Sequence, residues 1–295
     1  MRDDLPVWRS LMFVPVTVEK FVNTAADRGA DAIILDLEDA VAPSQKEHAR
    51  TLIAGAIPQV SRNGADVVVR VNRPWRLLVR DLEAAVVPGI TALALTKVDS
   101  PEHVCAVAEV VAELEAERGL PAGSIRFLVL VENAAGFFRI DAIARAHPRI
   151  VGLSLGSEDF AADVGMQAEP EGLFYPKQQT IFAARAAGIL PMGFIGSIAD
   201  FRDQDAFRAV VRRSRRLGFM CASAVHPVQV QVLNEEFSPD PAEVERAERM
   251  IAAYDTAYAA GVGAVQFEGA MIDVPVVERA RTVVRRAAAL KARGL

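Results

Sequence analysis

The sequence predicts an α/β fold, a (β/α)8 TIM barrel followed by a C-terminal helical extension. Short apolar runs alternate with segments of helical periodicity eight times, which is typical of a barrel of parallel strands. A length of 295 residues suits one such barrel with an appendage. The alternation stops near residue 237, and two long helical segments follow it. We therefore predict a catalytic barrel over residues 1–237 and an extension over residues 238–295.

Most of the predicted strands are nearly continuous apolar runs, which indicates that they are covered on both faces. The eight strands are predicted at Leu11–Val14, Ala32–Leu37, Val67–Val71, Ala92–Leu95, Ile125–Val131, Ile150–Ser157, Met192–Ile195 and Ala222–Val225. A doubly wound open sheet would show the same alternation. The first strand is not followed by a G-x-G-x-x-G turn, however, and this favours the barrel.

Between the strands, apolar residues recur at helical spacing, and Gly, Pro or a polar residue marks many helix ends. The barrel helices are predicted to begin or extend near Val18–Arg28, Pro43–Arg50, Leu77–Val87, Glu102–Arg118, Phe137–Ala146, Tyr175–Ala187, Asp203–Leu217 and Pro227–Asn234. Gly29 is expected to supply the left-handed cap of the first of them. In the extension, helices are predicted at Ala242–Ala260 and Val274–Ala292, with a turn at Glu268-Gly269.

The composition narrows the class of protein. A formal net charge of −5 and a pI of about 5.5 argue against a broad nucleic-acid-binding face. The two cysteines, Cys105 and Cys221, have no metal-site spacing, which favours reduced thiols. The N-terminus lacks the apolar segment of a signal peptide, and no apolar run is long enough to span a bilayer. We therefore expect a cytoplasmic protein that binds neither nucleic acid nor membrane.

Acidic residues follow the central pair of predicted strands. Glu132 comes directly after strand five, and Glu158-Asp159 follow strand six. Since neighbouring parallel strands end side by side, Glu132 and Asp159 are predicted to share one pocket. Mg²⁺ prefers oxygen ligands and is commonly held by one or two carboxylates together with substrate. The two acids are therefore candidate metal ligands. The alternative is that each caps a helix or pairs with an arginine.

Short motifs at barrel spacing run along almost the whole chain, over about residues 9–288. They are Phe13-Val14-Pro15, Asp36-Leu37-Glu38-Asp39-Ala40-Val41, Arg70-Val71-Asn72, Val131-Glu132-Asn133-Ala134, Leu155-Gly156-Ser157-Glu158-Asp159-Phe160, Gly218-Phe219, His226-Pro227 and Gly269-Ala270-Met271-Ile272-Asp273. In this order they resemble the HpcH/HpaI aldolase and citrate lyase β-subunit superfamily, in particular its stand-alone CitE-like branch. The resemblance implies a TIM-barrel enzyme that makes or breaks a carbon–carbon bond in a 3-hydroxyacyl thioester.

The resemblance also implies a cofactor, a substrate class and site residues. Mg²⁺ or Mn²⁺ is expected on Glu132 and Asp159, which match the metal ligands of the family. The substrate is expected to be an acyl-CoA such as malyl-, citramalyl- or citryl-CoA, cleaved to acetyl-CoA and a 2-oxo acid. Arg70 matches the arginine at the thioester oxygen, where it can stabilise the charge of an enolate. With Arg70, the residues Phe13 and Pro15 are expected to contact the CoA thioester.

Three further acids match catalytic or supporting positions of the family. Glu38 and Asp39 match acids beside the metal site. Asp273 matches a catalytic acid that reaches the active site of a neighbouring subunit in related lyases, and it is our candidate for moving a proton at the acetyl carbon. This would explain the extension, which is then expected to pack on a neighbouring subunit of a homo-oligomer, a trimer or a hexamer.

Each assignment has a simpler alternative. Arg70 would also neutralise Glu38 or Asp39 without touching substrate. Asp273 precedes Val274-Pro275, which is favourable N-cap chemistry for the last helix. Lys97, at the end of strand four, would either neutralise the acidic mouth of the barrel or touch a substrate carboxylate.

The chain also departs from the family pattern. Val16 and Ala222 stand where Gly and Lys are usual, and Cys221, Asn133, Thr96 and Lys177 replace other common residues. Two further functions therefore stay open. One is a CoA-independent aldolase of 4-hydroxy-2-oxo acids, and the other is a citrate lyase β-type subunit that acts on a carrier-protein thioester.

Overall fold

Eight parallel strands organise most of the chain in the computed structural model, which describes residue 2, residues 4–198 and residues 202–295. The strands are β1 Ser10–Pro15, β2 Ala32–Asp36, β3 Asp66–Val71, β4 Ala92–Leu95, β5 Arg126–Val131, β6 Ile150–Leu155, β7 Leu190–Met192 and β8 Ala222–Ala224. Each of β1 to β7 pairs with its neighbour in sequence, and β8 pairs back onto β1. Between β7 and β8 the described pairing is an isolated bridge from Met192 to Cys221. The predicted barrel is therefore confirmed as a nearly closed one.

Helices cover the outside of this sheet. Those of the barrel are α1 Glu19–Ala25, α2 Lys46–Val60, α3 Trp75–Ala85, α4 Pro101–Glu117, α5 Ala134–Phe137, α6 Ile140–Ala144, α7 Ser157–Val164, α8 Pro170–Ala186, α9 Gln204–Leu217 and α10 Pro227–Phe237. Gly29 has a φ of 71°, so it does supply the left-handed cap expected after the first helical segment. None of the helices in the described ranges is both long and apolar enough to cross a membrane.

Several predicted elements differ from the structure, and the helix predicted from Tyr175, for example, begins at Pro170. The single helix predicted over residues 137–146 is broken into α5 and α6. The sixth strand ends at Leu155 rather than Ser157, because Ser157 already begins the unpredicted helix α7. The seventh strand lies earlier than predicted and ends at Met192, because Gly193 has a φ of +131°, outside the extended region.

The barrel is filled by small and medium apolar side chains that point inward from alternate positions of the strands. Representative members, all almost fully buried, are Leu11, Ile34, Val68, Ala94, Leu128 and Met192. The packing is tight, since a Cβ added at Gly152 would lie 2.5 Å from Met192 Sδ. The interior is therefore a packed core, and space for a ligand is left at the carboxyl ends of the strands.

The chain forms two compact units, Met1–Glu235 and Glu236–Leu295. The second unit contains the helices α11 Pro241–Ala259 and α12 Val274–Ala292, and between them the antiparallel hairpin β9 Val265–Phe267 and β10 Ala270–Ile272. Met250, Tyr254, Ile272 and Val277 form part of its own apolar core. The sequence predicted its two helices and the turn, but neither of the two hairpin strands.

Candidate active site

A cavity of about 130 Å³ opens at the carboxyl ends of the barrel strands. Phe13, Arg70, Glu132 and Asp159 all line it. These residues come from β1, β3, the end of β5 and the first turn of α7. The structure therefore brings four of the predicted site residues to one place, although their positions in the sequence span 147 residues, from 13 to 159.

Glu132 is the most enclosed acid of this cavity. Glu132 is 5% exposed, and its Oε2 accepts a hydrogen bond of 2.6 Å from the backbone N–H of Lys97. The rest of the carboxylate packs against Gly156, where an added Cβ would lie 2.6 Å from Oε1. Burial, together with the negative charge of Asp159, raises the pKa of Glu132 to about 8.

The sequence had suggested that Asp159 lies at a strand end. In the structure it lies in the first turn of α7. Two residues of α7, Ser157 and Glu158, separate it from Gly156, the residue that follows β6. Its Oδ1 is 3.6 Å from the ammonium of Lys97. The predicted convergence of Asp159 with Glu132 still holds, because both side chains line the same cavity and their charges interact.

The two acids fit a hard divalent cation. A buried carboxylate whose pKa is raised beside a second carboxylate is stabilised when a cation binds between them. In the described part of the chain there is no group of three or more His, Cys, Asp or Glu side chains arranged to hold a metal. Mg²⁺ does not require such a group, because it commonly takes one or two carboxylates and completes its shell with substrate and water. The residues present therefore suit Mg²⁺ better than Zn²⁺.

Arg70 is held rigidly at the cavity wall. Its Nε and Nη2 donate hydrogen bonds of 2.8 and 2.5 Å to the two carboxylate oxygens of Asp36, which is 1% exposed. Its guanidinium also lies 4.6 Å from the centroid of the Phe13 ring and 3.2 Å from Glu38. The alternative pairing of Arg70 with Glu38 is thus present. The bidentate partner of Arg70 is Asp36, however, and the sequence had predicted no role for this residue.

Glu38 and Asp39 lie beside the cavity and not in its lining. Glu38 is buried, which raises its pKa, and its Oε1 is 2.5 Å from Lys97 Nζ. Asp39 is more exposed and lies 3.5 Å from the same ammonium. Lys97 therefore does neutralise the acidic mouth, which was one of its two predicted roles.

A second cavity of about 530 Å³ shares one lining residue, Phe13, with the first. It lies between α1 and the turn from β8 to α10, and Pro15 is part of its wall. Lys20 and Arg28 bring positive charge to it, and Phe21, 49% exposed, brings an aromatic surface. An elongated ligand with an anionic, aromatic end fits such a cavity.

Two further residues of interest are Asp273 and Lys177. Asp273 belongs to the C-terminal unit, where its Oδ1 accepts a hydrogen bond of 3.3 Å from the N–H of Val276 and caps α12. The capping alternative is therefore present, and the catalytic role of Asp273 stays a prediction. Lys177 lines the first cavity, is 3% exposed and donates a hydrogen bond of 2.7 Å to the carbonyl oxygen of Leu155.

Sequence and structure comparisons agree on one group of enzymes. Residues 9–227 match the family model of HpcH/HpaI aldolase/citrate lyase. The citrate lyase subunit beta of Leuconostoc mesenteroides subsp. cremoris is 32% identical, covering 95% of this chain and 93% of that protein. An L-malyl-CoA/beta-methylmalyl-CoA lyase of Cereibacter sphaeroides is 33% identical, covering 96% of each chain.

Solved structures show the same relationship. The CitE protein of Mycobacterium tuberculosis, in complex with magnesium, acetoacetate and coenzyme A, is 28% identical with a TM-score of 0.75, over 95% of this chain and 97% of that chain. A citrate lyase from Burkholderia xenovorans is 18% identical but has a TM-score of 0.83, over 98% and 94% of the two chains, and so supports the fold. The predicted superfamily, barrel and carbon–carbon lyase class are confirmed, and the chain belongs to the HpcH/HpaI aldolase/citrate lyase family.

Proposed function

We propose that the protein is a Mg²⁺-dependent lyase that cleaves a 3-hydroxyacyl-CoA, such as malyl-CoA or citramalyl-CoA, into acetyl-CoA and a 2-oxo acid. The observation that carries the proposal is a pair of cavities that share Phe13 in their walls. The first cavity holds the paired carboxylates Glu132 and Asp159 and the fixed cation Arg70. The second has cationic and aromatic side chains that suit the remainder of a CoA thioester.

The residues of the first cavity have complementary roles. Glu132 and Asp159 would hold Mg²⁺, which when bound supplies Lewis-acid polarisation of the hydroxyl or keto oxygen of the substrate. Arg70 provides donors that are already oriented by Asp36 before substrate arrives. Such a preorganised cation stabilises the negative charge that develops on the thioester oxygen as the carbon–carbon bond breaks. Asp273 would move the proton at the acetyl carbon.

The second cavity favours CoA over a free hydroxy acid. Lys20 and Arg28 present cations for phosphate groups, and Phe21 offers a surface for an aromatic ring. Two departures from the family pattern, Val16 and Ala222, are both buried and line neither cavity. Ala222 pairs with Ser10 at the start of the barrel. Neither departure therefore places a side chain in the wall of the proposed thioester site.

The assembly follows from the role proposed for Asp273. If Asp273 serves the site of a neighbouring subunit, the protein is a homo-oligomer, and we propose a trimer or a hexamer that works in the cytoplasm. The relatives named above act on small-molecule CoA thioesters or are citrate lyase subunits. We propose the same small-molecule class for this chain.

A coupled assay tests the proposal. Purified protein is incubated with malyl-CoA, citramalyl-CoA or a panel of 4-hydroxy-2-oxo acids, with and without Mg²⁺, and release of glyoxylate or pyruvate is followed. We expect Mg²⁺-dependent cleavage of a CoA ester that Asp159→Ala reduces by at least ~10³-fold. Cleavage that survives metal chelation would contradict the proposal. Cleavage of the free acids alone, or turnover only after a carrier protein is added, would favour one of the two alternative functions.

A further inference from the structure

Lys97 has an unusual backbone conformation. Its φ is 51°, and in the described residues Glu268 is the other non-glycine residue with a positive φ. The left-handed region is unfavourable for a residue with a Cβ, so its surroundings must stabilise it. Its N–H donates to Glu132 at 2.6 Å, and its carbonyl oxygen accepts a bond of 3.3 Å from Arg73 Nε. The backbone of Lys97 thus occupies Oε2 of Glu132, while Oε1 lies against Gly156, which also lines the cavity.

The side chain of Lys97 reaches the other acids of the site. Its Nζ lies 2.5 Å from Glu38 Oε1, 3.5 Å from Asp39 Oδ1 and 3.6 Å from Asp159 Oδ1. One residue therefore contacts both proposed metal ligands, Glu132 through its backbone and Asp159 through its ammonium. The two contacts differ in kind. The backbone contact orients Glu132, whereas the ammonium places a competing cation beside Asp159.

We propose that Lys97 is a positioning residue that sets the affinity of the site for its divalent cation. This inference rests on the proposed metal function of Glu132 and Asp159. The backbone of Lys97 aligns Glu132, and its ammonium competes with the metal for Asp159. The unloaded site then keeps its acids neutralised, and the metal binds only weakly until substrate adds its own oxygen ligands.

The geometry permits this exchange. A lysine ammonium is a compact charge on a flexible four-carbon stem, so it can leave Asp159 and stay on Glu38. A divalent cation next to Asp159 is repelled by the ammonium at short range, where the partly buried surroundings screen charge poorly. Removing the ammonium while the backbone contact is kept should therefore strengthen metal binding. A purely structural role for Lys97 predicts the opposite, because its loss would loosen the ligands.

Mn²⁺ binding without substrate separates these outcomes. Titration followed by electron paramagnetic resonance is carried out on wild type, Lys97→Met, Lys97→Gly and Lys97→Arg. Met keeps the length of the side chain without its charge, and Gly adopts the left-handed backbone without strain. We expect both to bind Mn²⁺ about tenfold more tightly than wild type, and Lys97→Arg to bind as wild type does. Arg145→Met removes a positive charge from an exposed pair with Asp141 and should leave the affinity unchanged.

The outcomes are distinguishable. Tighter binding by both neutral variants supports the inference. Binding by Lys97→Met and Lys97→Gly that equals or falls below that of wild type overturns it, while saturable binding by wild type leaves the proposed metal function intact. If neither wild type nor the two neutral variants binds Mn²⁺, the proposed function and the inference both fail.

Discussion

Glu132 has the least freedom of the site acids, because its two carboxylate oxygens meet different constraints. Oε2 accepts the backbone N–H of Lys97, and Oε1 packs against Gly156. A Cβ at position 156 would approach three atoms of Glu132 to between 2.6 and 3.0 Å. Glycine is therefore required there by the shape of the site, although its own φ is an ordinary −72°.

Gly156→Ala should damage the site without unfolding the protein. The added methyl group displaces the Glu132 carboxylate, so we expect kcat/KM to fall by at least ~10²-fold and Mn²⁺ affinity to weaken. Gly55→Ala is the matched control, because Gly55 lies in α2 and an added Cβ meets nothing within 4 Å. That control should be stabilised by about 0.5–1 kcal/mol and keep wild-type activity. Wild-type kcat/KM in Gly156→Ala would show that Glu132 does not need its observed position.

Single residues also show where sequence reasoning succeeds. Glu132 was identifiable because it follows an apolar run directly, and an acid at the end of a parallel strand faces the barrel mouth. Asp36 gave a comparable signal that was missed, because it is a charged residue at the end of an apolar strand and a buried carboxylate needs a partner. The strained φ of Lys97 left no such trace, since nothing local in a Thr-Lys-Val sequence predicts a left-handed backbone.

At the scale of elements, α8 contributes a buried lysine to the wall of the first cavity. Lys177 is fully enclosed, and burial lowers the pKa of its ammonium to about 7. Its hydrogen bond to Leu155 ties α8 to the last residue of β6, just before the turn that carries Asp159. In addition to packing through its apolar face, α8 thus holds the carboxyl end of β6 in place through this hydrogen bond.

This burial predicts a pH-dependent stability. The folded chain favours the neutral amine, so between about pH 7 and the ordinary lysine pKa of 10.5 the unfolded chain binds one more proton. Stability therefore rises with pH across this window. Compared with Lys177→Met, wild type should gain about 3 kcal/mol in the free energy of unfolding between about pH 7 and pH 9.5. Urea denaturation at several pH values measures both proteins, and parallel curves would contradict the lowered pKa.

The element boundaries that sequence missed have physical causes. The helix α7 begins two residues after β6, so the apolar run of residues 150–157 continues from strand into helix without a break in pattern. The seventh strand is weak because Pro191 contributes no N–H to the sheet and Gly193 leaves the extended conformation. Periodicity does not resolve elements of three residues, whereas the long helices of the extension were predicted to within one residue.

The C-terminal unit offers a test of its packing as an element. The hydroxyl of Tyr254 is buried without a hydrogen-bond partner in the described residues, and such a group costs free energy. Tyr254→Phe should therefore raise the free energy of unfolding by about 1 kcal/mol. Tyr258, 64% exposed and stacked on Tyr254, is the matched control, and Tyr258→Phe should change little. Destabilisation by Tyr254→Phe would show that the hydroxyl has a partner in the assembled protein.

At the scale of the whole molecule, the site predicted from family resemblance spans two chains. The predicted metal ligands Glu132 and Asp159 lie in the barrel unit, and Asp273 lies in the C-terminal unit. The structure of one chain shows the cap that Asp273 provides for α12, whereas the proposed role of Asp273 in a neighbouring subunit depends on the assembly. The barrel could thus be predicted from sequence periodicity, and the proposal of a shared site came from the family resemblance.

Subunit mixing tests this sharing. Asp159→Ala and Asp273→Ala are each expected to be inactive, because each removes one half of every site. When equal amounts of the two variants assemble at random, we expect an intact barrel to meet an intact Asp273 in about a quarter of all sites. Activity should therefore return to roughly that fraction of wild type. Mixing Asp159→Ala with Glu132→Ala is the control and should restore nothing, since both lesions lie in the same barrel unit. Mixed oligomers of the first pair that stay inactive would show that Asp273 does not complete the site of a neighbour.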